Sequence, residues 1–256
     1  MQMQMTKVHV AAAGETHRGG RTINQDTLLI EPALGLYAVF DGMGGHAAGE
    51  VAAQIGRDSL VEFARRNAYK DSPRELLEFG IDWTAAKIYR SAKAKPEYAG
   101  MGSTVVSCLV VPESNEIIVG HVGDSRAYLL RDGRFAQLTR DHNIAQQLID
   151  AGDTPKEDEM RYLGAILTRR LGDEHGAKAD MLEMELRAGD RLLLCSDGLS
   201  NCVSAEAIQR VLGSSEGPQE LARALINMAL STGTATDNVT ALVLICSEGE
   251  MAQRAA

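Results

Sequence analysis

Five aspartates stand where apolar runs end or begin, and carboxylates in such positions suit a hard divalent cation. Leu-Tyr-Ala-Val-Phe runs straight into Asp41-Gly42-Met43-Gly44-Gly45-His46, Ile-Ile-Val-Gly-His-Val-Gly into Asp124-Ser125-Arg126, and Leu-Leu-Leu-Cys-Ser into Asp197-Gly198. Asp237-Asn238 leads into the last apolar run, and Asp26 opens an early one after Arg21-Thr22-Ile23-Asn24-Gln25. Any one of them reads equally well as turn chemistry, because Asp-Gly is a common turn pair, and Asp132-Gly133 is read as only that. Together they carry more. Strands of one core bring their ends to one place, and several anions gather there only if something balances their charge. Ligation by oxygen alone points to Mg²⁺ or Mn²⁺, whereas zinc would ask for His and Cys at suitable spacing. Two such ions about 3.5–4 Å apart bind a phosphate, activate a water and stabilise an in-line displacement.

Other phosphate chemistries fail on spacing. A cysteine phosphatase needs an Arg six positions after its thiolate, but the residues six after Cys108, Cys195, Cys202 and Cys246 are Ser114, Asn201, Ile208 and Ala252. The Gly42–Gly49 stretch lacks the Gly-Lys-Ser/Thr of a P-loop, so its glycines are read as close backbone approach and a helix start. His46 is read as a structural hydrogen bond at that helix start and His121, inside a strand, as core. His142 opens a flap and is a minor candidate for a substrate contact. Arg126 is read as pairing with neighbouring acids, and Glu157-Asp158-Glu159 as a solvated face.

The elements that must position these residues follow from periodicity. Val8–Ala13, Asp26–Ile30 and Leu34–Phe40 read as strands. Ala48, Val51, Ala52, Ile55, Ser59 and Phe63 recur at helical spacing. Ser72-Pro73-Arg74-Glu75 offers an N-cap, a Pro at the first helical position and a capping-box Glu, opening a helix to about Ala94. Strands then run over Ser103–Val111, Glu116–His121, Ala127–Arg131 and Phe135–Leu138, with Asp132-Gly133 as a hairpin turn. Residues 142–165 are polar and mixed, and predict a short helix and a mobile flap. Strands return at Met181–Leu186 and Arg191–Cys195, helices at about 204–212 and 218–231, and a last strand at Asn238–Cys246. Segregated runs of about ten strands and two blocks of helices predict an α+β fold: two packed antiparallel sheets with helix pairs outside. Residues 1–246 read as one domain and 247–256 as a tail.

Composition bounds the function classes. The 256 residues are 45% hydrophobic and 24% charged, ordinary for a globular chain; aromatics are only 4%, so the core must be aliphatic. A net charge of -9 argues against a nucleic-acid or anionic-membrane surface, both of which need clustered positive charge. The longest apolar runs, Val105–Val111 and Ala241–Cys246, fall far short of the roughly 20 residues that span a bilayer. Met1–Lys7 has no apolar signal core, and four cysteines without zinc or disulfide spacing suit a reducing compartment. The expectation is a cytoplasmic protein, and a monomer.

Eight motifs occur in order across residues 21–240: Arg21-x-x-Asn24-Gln25-Asp26, Phe40-Asp41-Gly42-Met43-Gly44-Gly45-His46, Gly102-Ser103-Thr104, Val122-Gly123-Asp124-Ser125-Arg126-Ala127, Leu138-Thr139-Arg140-Asp141-His142, Leu171-Gly172, Ser196-Asp197-Gly198 and Asp237-Asn238-Val239-Thr240. In this the chain resembles the metal-dependent Ser/Thr protein phosphatases of type 2C, the PPM family, in their short bacterial form. The resemblance implies a four-layer α-β-β-α sandwich with two Mg²⁺ or Mn²⁺ ions at one end and a possible third. By matching motifs, Asp41 would bridge the two ions and the Gly42 carbonyl would bind the second. Asp197 and Asp237 would hold the first, and Asp124 with Asp197 the third. Asp26 would orient water and Arg21 would bind substrate phosphate, as a guanidinium fork suits two phosphate oxygens. The implied reaction is hydrolysis of phosphoserine and phosphothreonine by direct attack of a metal-bridging water. The implied partners are phosphorylated targets of a Ser/Thr kinase, or the kinase itself. The sequence departs from the pattern at Met43, where some eukaryotic members carry a His proposed as general acid. It departs again at Gln25, where many have Glu, and at Leu163-Gly164-Ala165 in the flap. Two alternatives stay open: an inactive binding module on the same fold, and a phosphatase for one small phosphorylated metabolite.

Overall fold

A computed structural model describes residues 7–45, 48–68, 72–111 and 114–249. Among the described residues, eleven strands form two antiparallel sheets. The first contains β1 (Val8–His17), β7 (Arg126–Arg131), β8 (Arg134–Gln137), β10 (Arg191–Cys195) and β11 (Val239–Glu248), in the order β1-β11-β10-β7-β8. The second contains β2 (Asp26–Glu31), β3 (Leu36–Met43), β5 (Val105–Val111), β6 (Glu116–Val122) and β9 (Asp180–Glu185), in the order β2-β3-β5-β6-β9, with the two-residue β4 (Gly102–Ser103) beside β3. Helices α1 (Ala48–Asn67) and α2 (Pro73–Ala94) cover the second sheet, and α6 (Ala205–Leu212) and α7 (Pro218–Ser231) cover the first. The predicted four-layer α+β sandwich is what forms.

The continuous apolar runs have a direct cause: their strands are buried on both faces. Successive side chains of a strand point to opposite faces. Along β3, Leu36, Ala38 and Phe40 pack toward the helices, while Tyr37 and Val39 enter the layer between the sheets. Along β11, Val239, Ala241 and Val243 face the helices, and Leu242, Leu244 and Cys246 face the opposite sheet. β5 and β10 divide in the same way. Each fully buried Leu, Ile or Val contributes about 1.5–3 kcal/mol, so three apolar layers rather than one stabilise the sandwich.

Local signals fix the element ends. Glu75 N–H donates to the Ser72 hydroxyl at 3.3 Å and Ser72 N–H to the Glu75 carboxylate at 3.2 Å, completing the capping box that starts α2. Asp132 and Gly133 both have positive φ, 50° and 75°, as a two-residue hairpin between β7 and β8 requires. Several spans differ from expectation: β1 runs on past Ala13 to His17, and β3 covers Leu36–Met43 instead of Leu34–Phe40. β11 continues through Glu248, which pairs with Val8, so 247 and 248 belong to the sheet. Residues 142–165 hold two helices, α3 (Ile144–Asp150) and α4 (Glu157–Gly164), not one; α3 is capped by Asn143, whose Oδ1 accepts from Gln146 N–H. The four cysteines are free thiols, with Cys108, Cys195 and Cys246 buried.

Candidate metal centre

All five aspartates lie at one end of the sandwich because the strands alternate in direction. Asp26 begins β2 and sits opposite Asp41 near the end of β3. Asp124 follows β6, Asp197 follows β10 as the first residue of the one-turn α5 (Asp197–Ser200), and Asp237 precedes β11. Three carboxylates thus come from the second sheet and two from the first. Asp41 feels the charges of Asp26, Asp197, Asp124 and Asp237.

Electrostatics mark the cluster as short of positive charge. Desolvation, reinforced by the neighbouring aspartates, pushes Asp41 and Asp124 well above the usual carboxylate range. Desolvation also lifts Asp197 to about 6, with Asp237 as the largest charge contribution. Asp26 rises to about 7 through desolvation, against the opposing hydrogen bonds from Thr240 and Ser196. Those two hydroxyls both donate to Asp26 Oδ2 at 2.7 Å. Thr240 N–H fills the Ser196 oxygen at 3.0 Å, which leaves the Ser196 proton for Asp26. Asp26 Oδ1 and Asp197 Oδ1 are buried and meet no hydrogen-bond partner among the described residues. Such orphans are costly unless something else is there to hold them.

The backbone around Asp41 is held with equal care. Asp41 N–H donates to Thr104 Oγ1 at 3.1 Å, Thr104 N–H returns to Asp41 O at 2.8 Å, and the Ser103 hydroxyl adds a bond to Asp41 O at 3.0 Å. The Gly102-Ser103-Thr104 motif therefore serves as the seat of Asp41. Gly42 lies under the first turn of α1: a Cβ there would stand 2.0 Å from the Gly49 carbonyl oxygen and 2.7 Å from that of Gln25. Only a glycine lets helix and strand approach this closely.

Around the aspartates, the structure sorts the other candidates. Arg21 is exposed and donates to Asp237 Oδ2 at 2.7 Å. Arg126 makes a two-pronged pair with Asp141, at 2.9 and 2.7 Å, as expected of a structural ion pair. His121 is buried, as expected of core. His142 is buried too, at 5% exposure, and packs against His121 with tilted rings whose centroids are 4.5 Å apart, so it is not placed for a substrate contact. His46 lies outside the described residues. Besides Ser103 and Thr104, three further motif residues had no role read from sequence. Ser196 and Thr240 hold Asp26. Asn238 ties the Arg21 loop to Asp237, accepting from Gln25 N–H and donating to Arg18 O and Ile23 O. Their only signal was adjacency to Asp197 and Asp237.

A cleft of about 730 Å³ opens over the cluster, with Asp124, Asp197 and Asp237 on one wall and Ile149, Met160 and Ala165 of the flap on the other. Among the described residues no group of three or more His, Cys, Asp or Glu side chains is placed to hold one metal ion. Mg²⁺ asks for less than such a group: it is commonly bound by one or two carboxylates, with water and substrate phosphate completing its shell. An all-oxygen donor set, two orphaned carboxylate oxygens and uncompensated negative charge fit hard divalent cations.

The sequence model described as "Protein phosphatase 2C" matches residues 13–239. The chain belongs to the protein phosphatase 2C family. Among family members, the Serine/threonine protein phosphatase PstP of Mycobacterium tuberculosis (strain H37Rv) is 40% identical over 229 residues; the match covers 87% of this chain and 42% of that protein. The chain thus spans less than half the length of that relative. The Serine/threonine phosphatase stp of Listeria innocua is 34% identical over 210 residues, covering 80% of this chain and 82% of its own. Among solved structures, the catalytic domain of PstP in complex with two manganese ions superposes with a TM-score of 0.83 at 36% identity, covering 94% of this chain and 99% of that one. Among the described residues no helix is long and apolar enough to cross a membrane.

Proposed function

We propose that the chain is a metal-dependent phosphoprotein phosphatase acting on phosphoserine and phosphothreonine. The observation that carries this reading is the convergence of Asp26, Asp41, Asp124, Asp197 and Asp237, with orphaned oxygens, in a chain of the 2C family. Asp41, the Gly42 carbonyl, Asp197 and Asp237 would hold two Mg²⁺ or Mn²⁺ ions, and Asp124 with Asp197 a third. Bound there, the ions would neutralise the carboxylates, polarise the phosphoryl group and lower the pKa of water toward neutrality.

The chain's own residues do the rest. Asp26, held at Oδ2 by Ser196 and Thr240, presents Oδ1 to orient the attacking water. Arg21 at the cleft mouth offers its fork to the phosphate oxygens. The flap wall excludes water and receives the peptide around the phosphorylated residue. The full acidic set argues against the inactive-module alternative, which would have lost ligands. Free thiols suit a reducing cytoplasm, where the substrates would be targets of a Ser/Thr kinase. The test is phosphate release from a phosphothreonine peptide with Mn²⁺ and with EDTA. Turnover that EDTA abolishes is expected; a folded sample inert with every divalent metal would overturn the reading.

A further inference from the structure

The base of the flap is tied to the backbone that carries Asp124 through a single residue. His142 N–H donates to Gly123 O at 2.7 Å, and Gly123 N–H donates to the His142 ring at Nδ1, 3.1 Å. Both polar groups of Gly123 are therefore gripped by one side chain and its own backbone. Gly123 has φ +109°, and a Cβ there would stand 2.6 Å from Thr104 Cγ2, so this peptide has little freedom of its own. His142 O in turn accepts from Thr168 N–H at 2.8 Å, closing the flap.

The ring orientation follows from proton bookkeeping. A backbone N–H can only donate, so Nδ1 carries the lone pair and neutral His142 has its proton on Nε2. Nε2 lies 3.2 Å from both Asp180 Oδ2 and Arg169 Nη1; its proton goes to the Asp180 carboxylate, because Arg169 can only donate, and Arg169 Nη1 itself donates to Asp180 Oδ1 at 2.5 Å. Arg169, Asp180, His142 and Gly123 form a continuous chain from the edge strand β9 to the residue before Asp124. A carboxylate that fixes the tautomer of a histidine is a familiar way to hold a neighbouring ligand still.

We propose that His142 is a positioning residue for Asp124: Asp180 and Arg169 set its ring, and the ring with its backbone N–H clamps Gly123, which places the Asp124 carboxylate for a cation. The inference rests on Asp124 being a cation ligand, as read above. Two variants separate the clamp from simple packing. His142→Phe keeps the ring against His121 and removes the acceptor; His142→Asn keeps an acceptor at the Nδ1 position.

Mn²⁺ binding to the purified protein is measured by titration calorimetry, and the His142 tautomer by ¹⁵N NMR. His142→Phe should weaken the lowest-affinity Mn²⁺ class by about 10–100-fold, the usual effect of losing such a support, and His142→Asn should restore it. Asp180→Ala, at a side chain 55% exposed and hence safe for folding, should weaken the same class and shift the ring proton toward Nδ1. Wild-type Mn²⁺ binding in His142→Phe, equal loss in His142→Asn, or a wild-type ring protonated on Nδ1 each overturns the clamp. If His142→Phe does not fold, Asp180→Ala decides: unchanged Mn²⁺ binding with an unchanged tautomer overturns it. Asp124→Ala tells the two readings apart, because unchanged Mn²⁺ binding there removes Asp124 as a ligand whatever His142 does.

Discussion

Replacing Gly42 by Ala tests whether the backbone approach at the centre is as tight as it looks. The new Cβ would sit 2.0 Å from Gly49 O, 2.6 Å from its carbonyl carbon and 2.7 Å from Gln25 O. All three are main-chain atoms, so no side chain can swing away. Gly42 N–H is bonded to Gln25 O at 3.1 Å, which blocks retreat on that side. The first turn of α1 must therefore back off by about 1 Å, or β3 must shift beside Asp41. Overpacking of this kind costs about 1–3 kcal/mol, and about 2–4 °C of Tm per kcal/mol for a domain this size. The catalytic effect should be larger, since a misplacement near 1 Å costs about 100-fold. The expected result is a folded protein with Tm lowered by roughly 2–12 °C and kcat down by about two orders of magnitude, read by calorimetry and by Mn²⁺-supported peptide turnover. Gly45 is the control, because a Cβ there meets nothing within 4 Å among the described residues. A Gly42→Ala enzyme with wild-type kcat, or a Gly45→Ala enzyme equally damaged, refutes the reasoning.

Three other perturbations have clear directions. Arg21→Ala should raise KM for a phosphopeptide by about 10–100-fold, the worth of a charge-assisted hydrogen bond of roughly 1.5–3 kcal/mol; a fall in kcat at constant KM would remove its anchoring role. Asp190→Ala breaks the pair in which Arg131 donates to both carboxylate oxygens, at 2.7 and 2.5 Å, with Asp190 only 1% exposed. It should lower stability by about 3 kcal/mol in urea melts and leave kcat alone, since it sits at the far end of β10 from Asp197. His121, buried against His142 with Asp180 and Arg169 beyond it, is held down to about 3 by desolvation and by the His142 charge. Between that value and about 6.5 the unfolded chain binds a proton that the folded chain refuses, so stability falls as pH falls through this window, by up to about 1.4 kcal/mol per pH unit. His121→Phe should flatten that slope in melts from pH 7 to pH 5; parallel slopes would show that His121 does not titrate this way.

What was readable in the sequence was whatever depends on neighbours along the chain. Asp41 and Asp197 announced themselves by ending apolar runs, and Ser72 and Glu75 announced the start of α2. What escaped depends on residues far apart. Asp26 draws its hydroxyl partners from Ser196 and Thr240, 170 and 214 positions away. His142 lies in a polar stretch, so it read as a minor candidate for a substrate contact; its burial comes from packing on His121 of β6. The second flap helix was missed because helices of eight residues carry little periodicity. The extra length of β11 follows from its pairing with the beginning of β1, a contact across nearly the whole chain.

The origin of the five carboxylates in two different sheets has a mechanical consequence. Asp26, Asp41 and Asp124 face Asp197 and Asp237 across the gap between the layers, and like charges repel. At this end the charges act as a wedge that pries the sheets apart, and the aliphatic layer of Val39, Val106, Leu192, Leu194 and Leu242 behind them acts as the hinge that resists. The sandwich is thus loaded at this end, and a cation bound at the centre would act as a rivet, drawing the two sheets together where they are most inclined to part.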